Sequence, residues 1–144
     1  MGLLIDASVV VAMERRRLTM ADLAVAVPPE PIAISVLTAG ELLVGVERAD
    51  TDARRRQRSI FLETLIGAVP LVDVDLAAAR AFGRLQAAIL VAGTSIGAID
   101  LLLAAQATAR NDGVLTENGR DFERVPGLRV VAPDWTAVAG KGGQ

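Results

Sequence analysis

Short, mostly apolar runs alternate along the chain with longer segments in which apolar residues recur every three or four positions. A short apolar run predicts a strand buried on both faces, as in a parallel sheet, and the longer repeat predicts a helix. The runs that predict strands lie at residues 3–5, 32–34, 69–72, 113–116 and 128–131. Because strands and helices alternate, the chain predicts a parallel α/β sheet with helices on both faces.

The segments between these runs predict helices at residues 8–17, 20–25, 36–47, 50–66, 76–91 and 98–107. Ser35 and Asp75 precede two of them and are the expected N-caps, since short polar side chains accept hydrogen bonds from the first backbone N–H groups of a helix. The segment 98–107 is apolar almost all round, which predicts a buried helix. The length of 144 residues fits one domain, expected over residues 1–137, with a disordered tail at 138–144.

The residue types that the chain lacks narrow its possible chemistry. It contains no histidine, cysteine or tyrosine. This excludes Ser-His-Asp and Cys-His catalytic sites, histidine general bases and thiolate zinc sites. Carboxylates remain, and they bind hard cations such as Mg²⁺ and Mn²⁺. If the protein is an enzyme, a metal–carboxylate mechanism is therefore the leading class.

The net charge of −2 provides no overall electrostatic attraction for nucleic acid, but the charges are unevenly distributed along the chain. Two basic runs occur, at residues 15–17 and 54–58, and each is either a solvated helix face or a phosphate-binding patch. No apolar window is long enough for a membrane span, and the N-terminus lacks the basic segment of a signal peptide. We therefore expect a cytoplasmic protein.

Three acidic residues, Asp6, Glu41 and Asp100, lie among apolar or small neighbours. Asp6 ends the first strand, Glu41 follows the second strand within a helix, and Asp100 stands in the first turn of the buried helix. Because the carboxyl ends of parallel strands share one edge of a sheet, we expect the three to meet there. Carboxylates so close together repel unless a divalent cation neutralises them. The alternatives are that Asp6 and Asp100 are caps or first-turn acids, and that Glu41 is an exposed helix residue.

Several motifs, in this order, together resemble the PIN-domain ribonucleases, in particular the VapC toxins of type II toxin–antitoxin systems. They are Leu-Ile-Asp-Ala-Ser at 4–8, Thr-Ala-Gly-Glu-Leu at 38–42, Gly-Ala-Ile-Asp-Leu-Leu-Leu-Ala-Ala at 97–105, Leu-Thr-Glu-Asn at 115–118 and Asp-Phe-Glu-Arg-Val-Pro-Gly-Leu at 121–128. The resemblance implies a three-layer α/β/α sandwich around a mostly parallel sheet of about five strands. It also implies a toxin that commonly dimerises, cleaves RNA with Mg²⁺ or Mn²⁺, and is inhibited by a cognate VapB antitoxin.

The same resemblance implies that Asp6, Glu41 and Asp100 are the catalytic acids that bind the metal. Many family members place a fourth acid two residues after the threonine of the fourth strand, where this chain has Asn118. Asp121 is the substitute that the sequence offers, as a catalytic residue and metal ligand. Its alternative role is to cap a local turn.

Ser8 and Thr116 are expected, with Asn118, to surround the metal ligands and orient the carboxylates and water. Their alternative roles are those of an ordinary helix-cap hydroxyl and a strand-end hydroxyl. The RNA that is cut, whether tRNA, rRNA or mRNA, is not encoded in any short motif of the chain.

Other classes of protein place acids at the same edge of a sheet. A receiver-like signalling domain needs adjacent acids after the first strand and a nearby lysine, and the single lysine here is Lys141 in the tail. A phosphatase of the haloacid dehalogenase type needs Asp-x-Asp, whereas the third position here is Ser8. A third alternative is a catalytically weak or inactive PIN domain that binds RNA or antitoxin, which Asn118 favours. A metal-dependent nuclease assay separates this last alternative from the enzyme.

Overall fold

Five short parallel strands form the central sheet of the computed structural model, which describes residues 1–138. The strands are β1 (Leu3–Ile5), β2 (Ile32–Ser35), β3 (Leu71–Val72), β4 (Gly113–Leu115) and β5 (Val130–Val131). Their order across the sheet is β3-β2-β1-β4-β5, so β1 is the central strand. All five predicted strands are confirmed, as is the parallel sheet.

The register of β1 against its neighbours brings three strand ends to one level. Ile5 pairs with Ile34 of β2 and with Leu115 of β4. The backbone N–H of Asp6 donates to the carbonyl of Leu115 over 2.8 Å, which continues the pairing by one residue. The residues that follow β1, β2 and β4 therefore start from neighbouring points on the carboxyl edge of the sheet.

Helices connect the strands in the order that the sequence predicts. They are α1 (Ala7–Arg16), α2 (Met20–Ala26), α3 (Val36–Glu47), α4 (Asp52–Ala68), α5 (Leu76–Val91), α6 (Ala98–Ala109) and α7 (Gly119–Phe122), followed by a 3₁₀ helix at Trp135–Ala137. The helices α1 to α6 are confirmed. Helix α7 was not predicted, because its four residues begin at a glycine and give too short a segment for any helical repeat.

The predicted N-caps are present. The side chain of Ser35 accepts from the backbone N–H of Leu37 over 3.1 Å, and that of Asp75 accepts from the N–H of Ala78 over 2.9 Å. Because Ser35 is also the last residue of β2, the chain passes from strand to helix without a loop. This direct passage fixes where α3 leaves the sheet.

Two apolar cores lie on opposite faces of the sheet. Leu4 of β1 packs into one core with residues of α5 and α6, while Leu3 and Ile5 point into the other with residues of α1, α2 and α4. This alternation follows from the twofold period of a strand. The arrangement confirms the three-layer α/β/α sandwich.

The C-terminal part of the described chain packs against the second core. Trp135 is buried, and the 3₁₀ helix that contains it contacts α2. Of the tail predicted at 138–144, Val138 is buried in the same core, and residues 139–144 lie outside the described residues. No helix within residues 1–138 is long and apolar enough to cross a membrane.

Candidate metal centre

Three carboxylates meet at the carboxyl edge of the sheet. Asp6, Glu41 and Asp100 each offer an oxygen that lies within 4.8 Å of the oxygens offered by the other two. Asp6 is buried, Asp100 is half-buried and Glu41 is exposed. The structure thus brings together the three acids that the sequence placed at this edge, with Asp6 at the buried end of the cluster and Glu41 at its exposed end.

Asp6 occupies the position of an N-cap to α1, yet its side chain makes no capping hydrogen bond. Its Oδ2 instead accepts from the Ser8 hydroxyl over 2.7 Å and from the Thr116 hydroxyl over 2.9 Å. The capping alternative for Asp6 is therefore wrong. Two hydroxyls, which lie 108 positions apart in the sequence, determine the orientation of this carboxylate.

The two hydroxyls are themselves held by the turn that follows β4. The Ser8 oxygen accepts from the backbone N–H of Glu117, and the Thr116 oxygen accepts from that of Asn118, each over 3.0 Å. Each hydroxyl has a single proton and donates it to Asp6. The 3.2 Å contact between the two hydroxyl oxygens is therefore not a hydrogen bond. Both are thus more than ordinary cap and strand-end hydroxyls, since both bind the carboxylate.

Glu41 reaches the site because α3 is tied to the end of β1. The hydroxyl of Thr38, which is fully buried, donates to the carbonyl of Ile5 over 2.9 Å. Glu41 lies three residues further along α3 and so on the same side of the helix as Thr38. The hydrogen bond from Thr38 therefore places Glu41 next to the carboxyl end of β1.

Asp100 reaches the site at the start of α6. It lies in the first turn of the helix, where the helix dipole favours an acid, and it also belongs to the carboxylate cluster. Most of the following residues of α6 are buried between α5 and the sheet. This packing prevents α6 from turning Asp100 away from the other acids.

The pKa values of two of these carboxyls are raised by their surroundings. Glu41 is exposed as a residue, but its carboxyl group is partly desolvated, and this desolvation is the largest cause of its raised pKa, followed by the charges of Asp6 and Asp100. For Asp100 the largest cause is burial, followed by the charges of Asp6 and Asp121. Without a cation, the site therefore binds protons more tightly than free carboxylates do.

The fourth acid lines the same cavity but is not part of the three-oxygen cluster. Asp121 of α7 forms an ion pair with Arg124, and Arg124 also donates to the carbonyl of Ser95 over 3.2 Å. Asn118 lines the cavity as well, just before α7. The cavity has a volume of about 740 Å³ and is lined by Asp6, Ala7, Ser8, Glu41, Asp100, Asn118, Arg120, Asp121, Phe122 and Arg124.

A second groove, of about 780 Å³, lies between α1, α3 and α4 and shares Ala7 and Glu41 with the acidic cavity. Its lining contains arginines from both basic runs, namely Arg15, Arg17, Arg54 and Arg58. The two basic runs are separate features in the sequence, because nothing local shows that α1 and α4 face each other. Arg120 was not predicted as a site residue, because a single arginine in a short loop is too weak a signal.

The fold and the carboxylate cluster define a class of protein. The family model of the PIN domain matches residues 3–128, and the chain is accordingly a PIN-domain protein. This membership rules out the receiver and phosphatase alternatives.

Comparison with individual proteins narrows the class. The chain is 34% identical over 104 residues to the tRNA(fMet)-specific endonuclease VapC of Salmonella typhimurium, covering 72% of this chain and 75% of that protein. It is 35% identical over 127 residues to ribonuclease VapC5 of Mycobacterium tuberculosis, covering 88% and 90%. The crystal structure of VapBC-5 from M. tuberculosis, a member of the VapBC family of toxin–antitoxin systems, matches with a TM-score of 0.74 and 30% identity, covering 91% of this chain and 98% of that one. The chain belongs to the VapC family of PIN-domain ribonucleases.

Proposed function

We propose that this protein is the toxin of a type II toxin–antitoxin pair and that it hydrolyses RNA with Mg²⁺, for which Mn²⁺ can substitute. The observation that carries the proposal is the meeting of Asp6, Glu41 and Asp100 within 4.8 Å at one edge of the sheet. In a chain without histidine or cysteine, a cluster of this kind is the best candidate for the reactive centre.

The donor set fits a hard divalent cation. All three donors are carboxylate oxygens, which Mg²⁺ and Mn²⁺ prefer over softer ligands. The raised pKa values of Glu41 and Asp100 reflect a concentration of negative charge that a cation would relieve. Oδ2 of Asp6 already accepts hydrogen bonds from two hydroxyls, so we expect Asp6 to bind the cation through Oδ1. Asp121 is the proposed fourth ligand, and Ser8, Thr116 and Asn118 support the ligands.

A bound divalent cation would neutralise charge on the scissile phosphate and make a nearby water more acidic. The protein's own part is to hold the acids in place and to bind the RNA backbone. Arg120 is exposed at the acidic cavity, and no ion pair involves it within residues 1–138, so its guanidinium can bind a phosphate. The arginines of the neighbouring groove extend this basic surface away from the acids.

The expected reaction is hydrolysis at phosphorus. The water oxygen forms a bond to phosphorus, the bond from phosphorus to the 3′ oxygen breaks, and the 3′ oxygen takes up a proton. The products carry a 5′-phosphate and a 3′-hydroxyl, and the 2′-hydroxyl takes no part. This route suits a protein that has no histidine for acid–base catalysis at the 2′ oxygen.

The partners follow from the family. We propose a VapB-type antitoxin as the inhibitor, an RNA such as tRNA as the substrate, and a homodimer as the assembly in the cytoplasm. The named activity of the Salmonella relative, a tRNA(fMet)-specific endonuclease, and the toxin–antitoxin system of the M. tuberculosis structure support these assignments.

A second candidate function is a catalytically weak or inactive PIN domain that binds RNA or antitoxin. Two observations favour it: Asn118 brings no charge to the cavity, and Asp121 is already paired with Arg124. Under this hypothesis the three clustered acids would bind a cation without supporting turnover.

Incubation of the purified protein with total RNA in Mg²⁺, in Mn²⁺ and in EDTA tests the proposal, with Asp100→Asn as the matched variant. We expect cleavage with either metal, none in EDTA and none by the variant, and products that accept ligation at their 5′-phosphates. RNA binding without cleavage by the wild type would favour the second candidate. Cleavage in EDTA, or products with 2′,3′-cyclic ends, would contradict the proposed mechanism.

A further inference from the structure

The C-terminal 3₁₀ helix is connected to the carboxylate cluster through one pair of side chains. Trp135 is 6% exposed and packs in the core that contains α1 and α2. Its indole Nε1–H donates to Oε1 of Glu117. Glu117 directly follows the Thr116 that binds Asp6, so this hydrogen bond ends one residue from the site.

Hydrogen bonds lead from this pair to Asp6. The backbone N–H of Glu117 donates to the Ser8 oxygen over 3.0 Å, and the Ser8 hydroxyl donates to Oδ2 of Asp6 over 2.7 Å. On the other side of the turn, the N–H of Thr116 donates to the carbonyl of Val131 over 2.9 Å. The turn at residues 116–118 is thus held by the sheet at one end and by the indole at Glu117.

The type of residue at position 117 is informative. A buried indole N–H needs an acceptor, and a carboxylate is a stronger acceptor than a neutral group. The hydrogen bond to Trp135 therefore gives a physical reason for an acid at this place.

We propose that Trp135 and Glu117 are positioning residues for Asp6: they fix the turn whose backbone N–H groups hold the two hydroxyls on its carboxylate. The consequence for cation binding rests on the proposed function. Neither Trp135 nor Glu117 belongs to the cluster of three acids, and the pair acts only through the turn.

A competing explanation is that the charge of Glu117 attracts the cation directly. Glu117→Ala removes both the charge and the acceptor, whereas Glu117→Gln removes the charge and keeps an acceptor oxygen. Trp135→Phe removes the donor without changing any charge. Glu63→Ala, at an exposed position on α4, is the control for the loss of one surface carboxylate.

Two measurements on the full-length protein test the proposal. Mn²⁺ binding is followed by the electron paramagnetic resonance signal of the free ion, and exchange of the amide protons of residues 117 and 118 is followed by NMR in EDTA. We expect Glu117→Ala and Trp135→Phe to weaken Mn²⁺ binding roughly three- to tenfold, which is at or below the lower end of the roughly 10- to 100-fold loss typical of groups that support metal ligands. We expect both to speed amide exchange at the turn, with Glu117→Gln and Glu63→Ala close to wild type.

Each outcome decides between the explanations. Equal weakening by Glu117→Ala and Glu117→Gln would overturn the positioning role in favour of charge. Unchanged amide exchange in Glu117→Ala would overturn the positioning role, whatever the result of the Mn²⁺ binding measurement. Because Glu117 is exposed, this variant tests the hydrogen bond even if Trp135→Phe does not fold. A wild type that binds no Mn²⁺ would refute the proposed metal site, while the exchange measurement would still decide the positioning role.

Discussion

The substitution Asp6→Asn separates the charge of the candidate site from its shape. Asparagine has nearly the same size as aspartate, and its carbonyl oxygen can still accept from the Ser8 and Thr116 hydroxyls. It removes the negative charge that lies within 4.8 Å of Glu41 and Asp100. We therefore expect Asp6→Asn to abolish RNA cleavage and metal binding, and to stabilise the metal-free protein.

The size of this stabilisation follows from the distances. Two unit charges at 4.8 Å repel by about 1 kcal/mol in water and by about 3.5 kcal/mol at an effective dielectric constant near 20. The lower value applies to the repulsion between Asp6 and the exposed Glu41, and an intermediate value of about 2 kcal/mol applies to the repulsion between Asp6 and the half-buried Asp100. The variant therefore removes about 3 kcal/mol of repulsion. Weaker hydrogen bonds from the two hydroxyls offset about 1–2 kcal/mol of this. The net gain is about 1–2 kcal/mol, or roughly 3–8 °C in Tm.

Urea unfolding at pH 7 in EDTA measures the predicted gain, with the exposed Asp73→Asn as the control for loss of one acidic charge. A repeat with Mn²⁺ should stabilise the wild type and leave Asp6→Asn unchanged, because only a ligand that binds the native state raises its stability. A variant that is less stable than wild type in EDTA, or that gains as much from Mn²⁺, would refute the reasoning.

The pH dependence of the stabilisation by Asp6→Asn is a further test that relief of charge repulsion is its cause. The folded-state pKa values of Glu41 and Asp100 are raised above the ordinary values of 4.5 and 3.8. Stability from such groups is fully present below the ordinary pKa and is lost as pH rises through the folded pKa. Because the charge of Asp6 contributes to both shifts, the advantage of Asp6→Asn in EDTA should be small near pH 4 and should grow toward pH 7.

Three further outcomes are expected. Asp121→Asn should weaken Mn²⁺ binding and lower the cleavage rate roughly tenfold, which is a smaller loss than that expected for Asp6→Asn. Asn118→Ala should have a smaller effect still, because a neutral oxygen adds little to the attraction for the cation. The Kd for Mn²⁺ in calorimetry should fall as pH rises from about 4 to 7, because protons on the acids with raised pKa compete with the metal. Thr38→Val should cost about 1 kcal/mol in urea unfolding, because it removes the buried hydrogen bond to the Ile5 carbonyl, and should also weaken Mn²⁺ binding by loosening α3.

Each of these outcomes has a result that would contradict it. Equal cleavage by Asp121→Asn and wild type across a Mg²⁺ titration would make Asp121 a turn residue and leave three acids in the site. A Kd for Mn²⁺ that does not change with pH would show that protons do not compete at the cluster. For Thr38→Val, the exposed helix residue Thr64 provides the matched control Thr64→Val, and an Mn²⁺ affinity equal to wild type would show that α3 does not depend on this hydrogen bond to place its acid.

The sequence by itself predicted the strands and helices of a parallel sheet and the meeting of three acids at one edge of that sheet. Buried strands and helices leave strong local signals, because a strand buried on both faces must be apolar throughout and a helix N-terminus needs a polar cap such as Ser35 or Asp75. The rule that parallel strands share a carboxyl edge then brought Asp6, Glu41 and Asp100 together without any coordinates.

Only the tertiary structure decided how the site is held. The sequence predicted Ser8 and Thr116 beside the metal ligands, but it did not predict that both hydroxyls donate to Oδ2 of Asp6 or that Trp135 donates to Glu117, because these contacts depend on side-chain directions that have no period in the sequence. Thr116 lies 110 positions from Asp6, and no local pattern connects them. The physical reason is that burial and capping are set by near neighbours along the chain, whereas the contacts of Thr116 with Asp6 and of Glu117 with Ser8 exist only after the crossover connections have brought β4 beside β1.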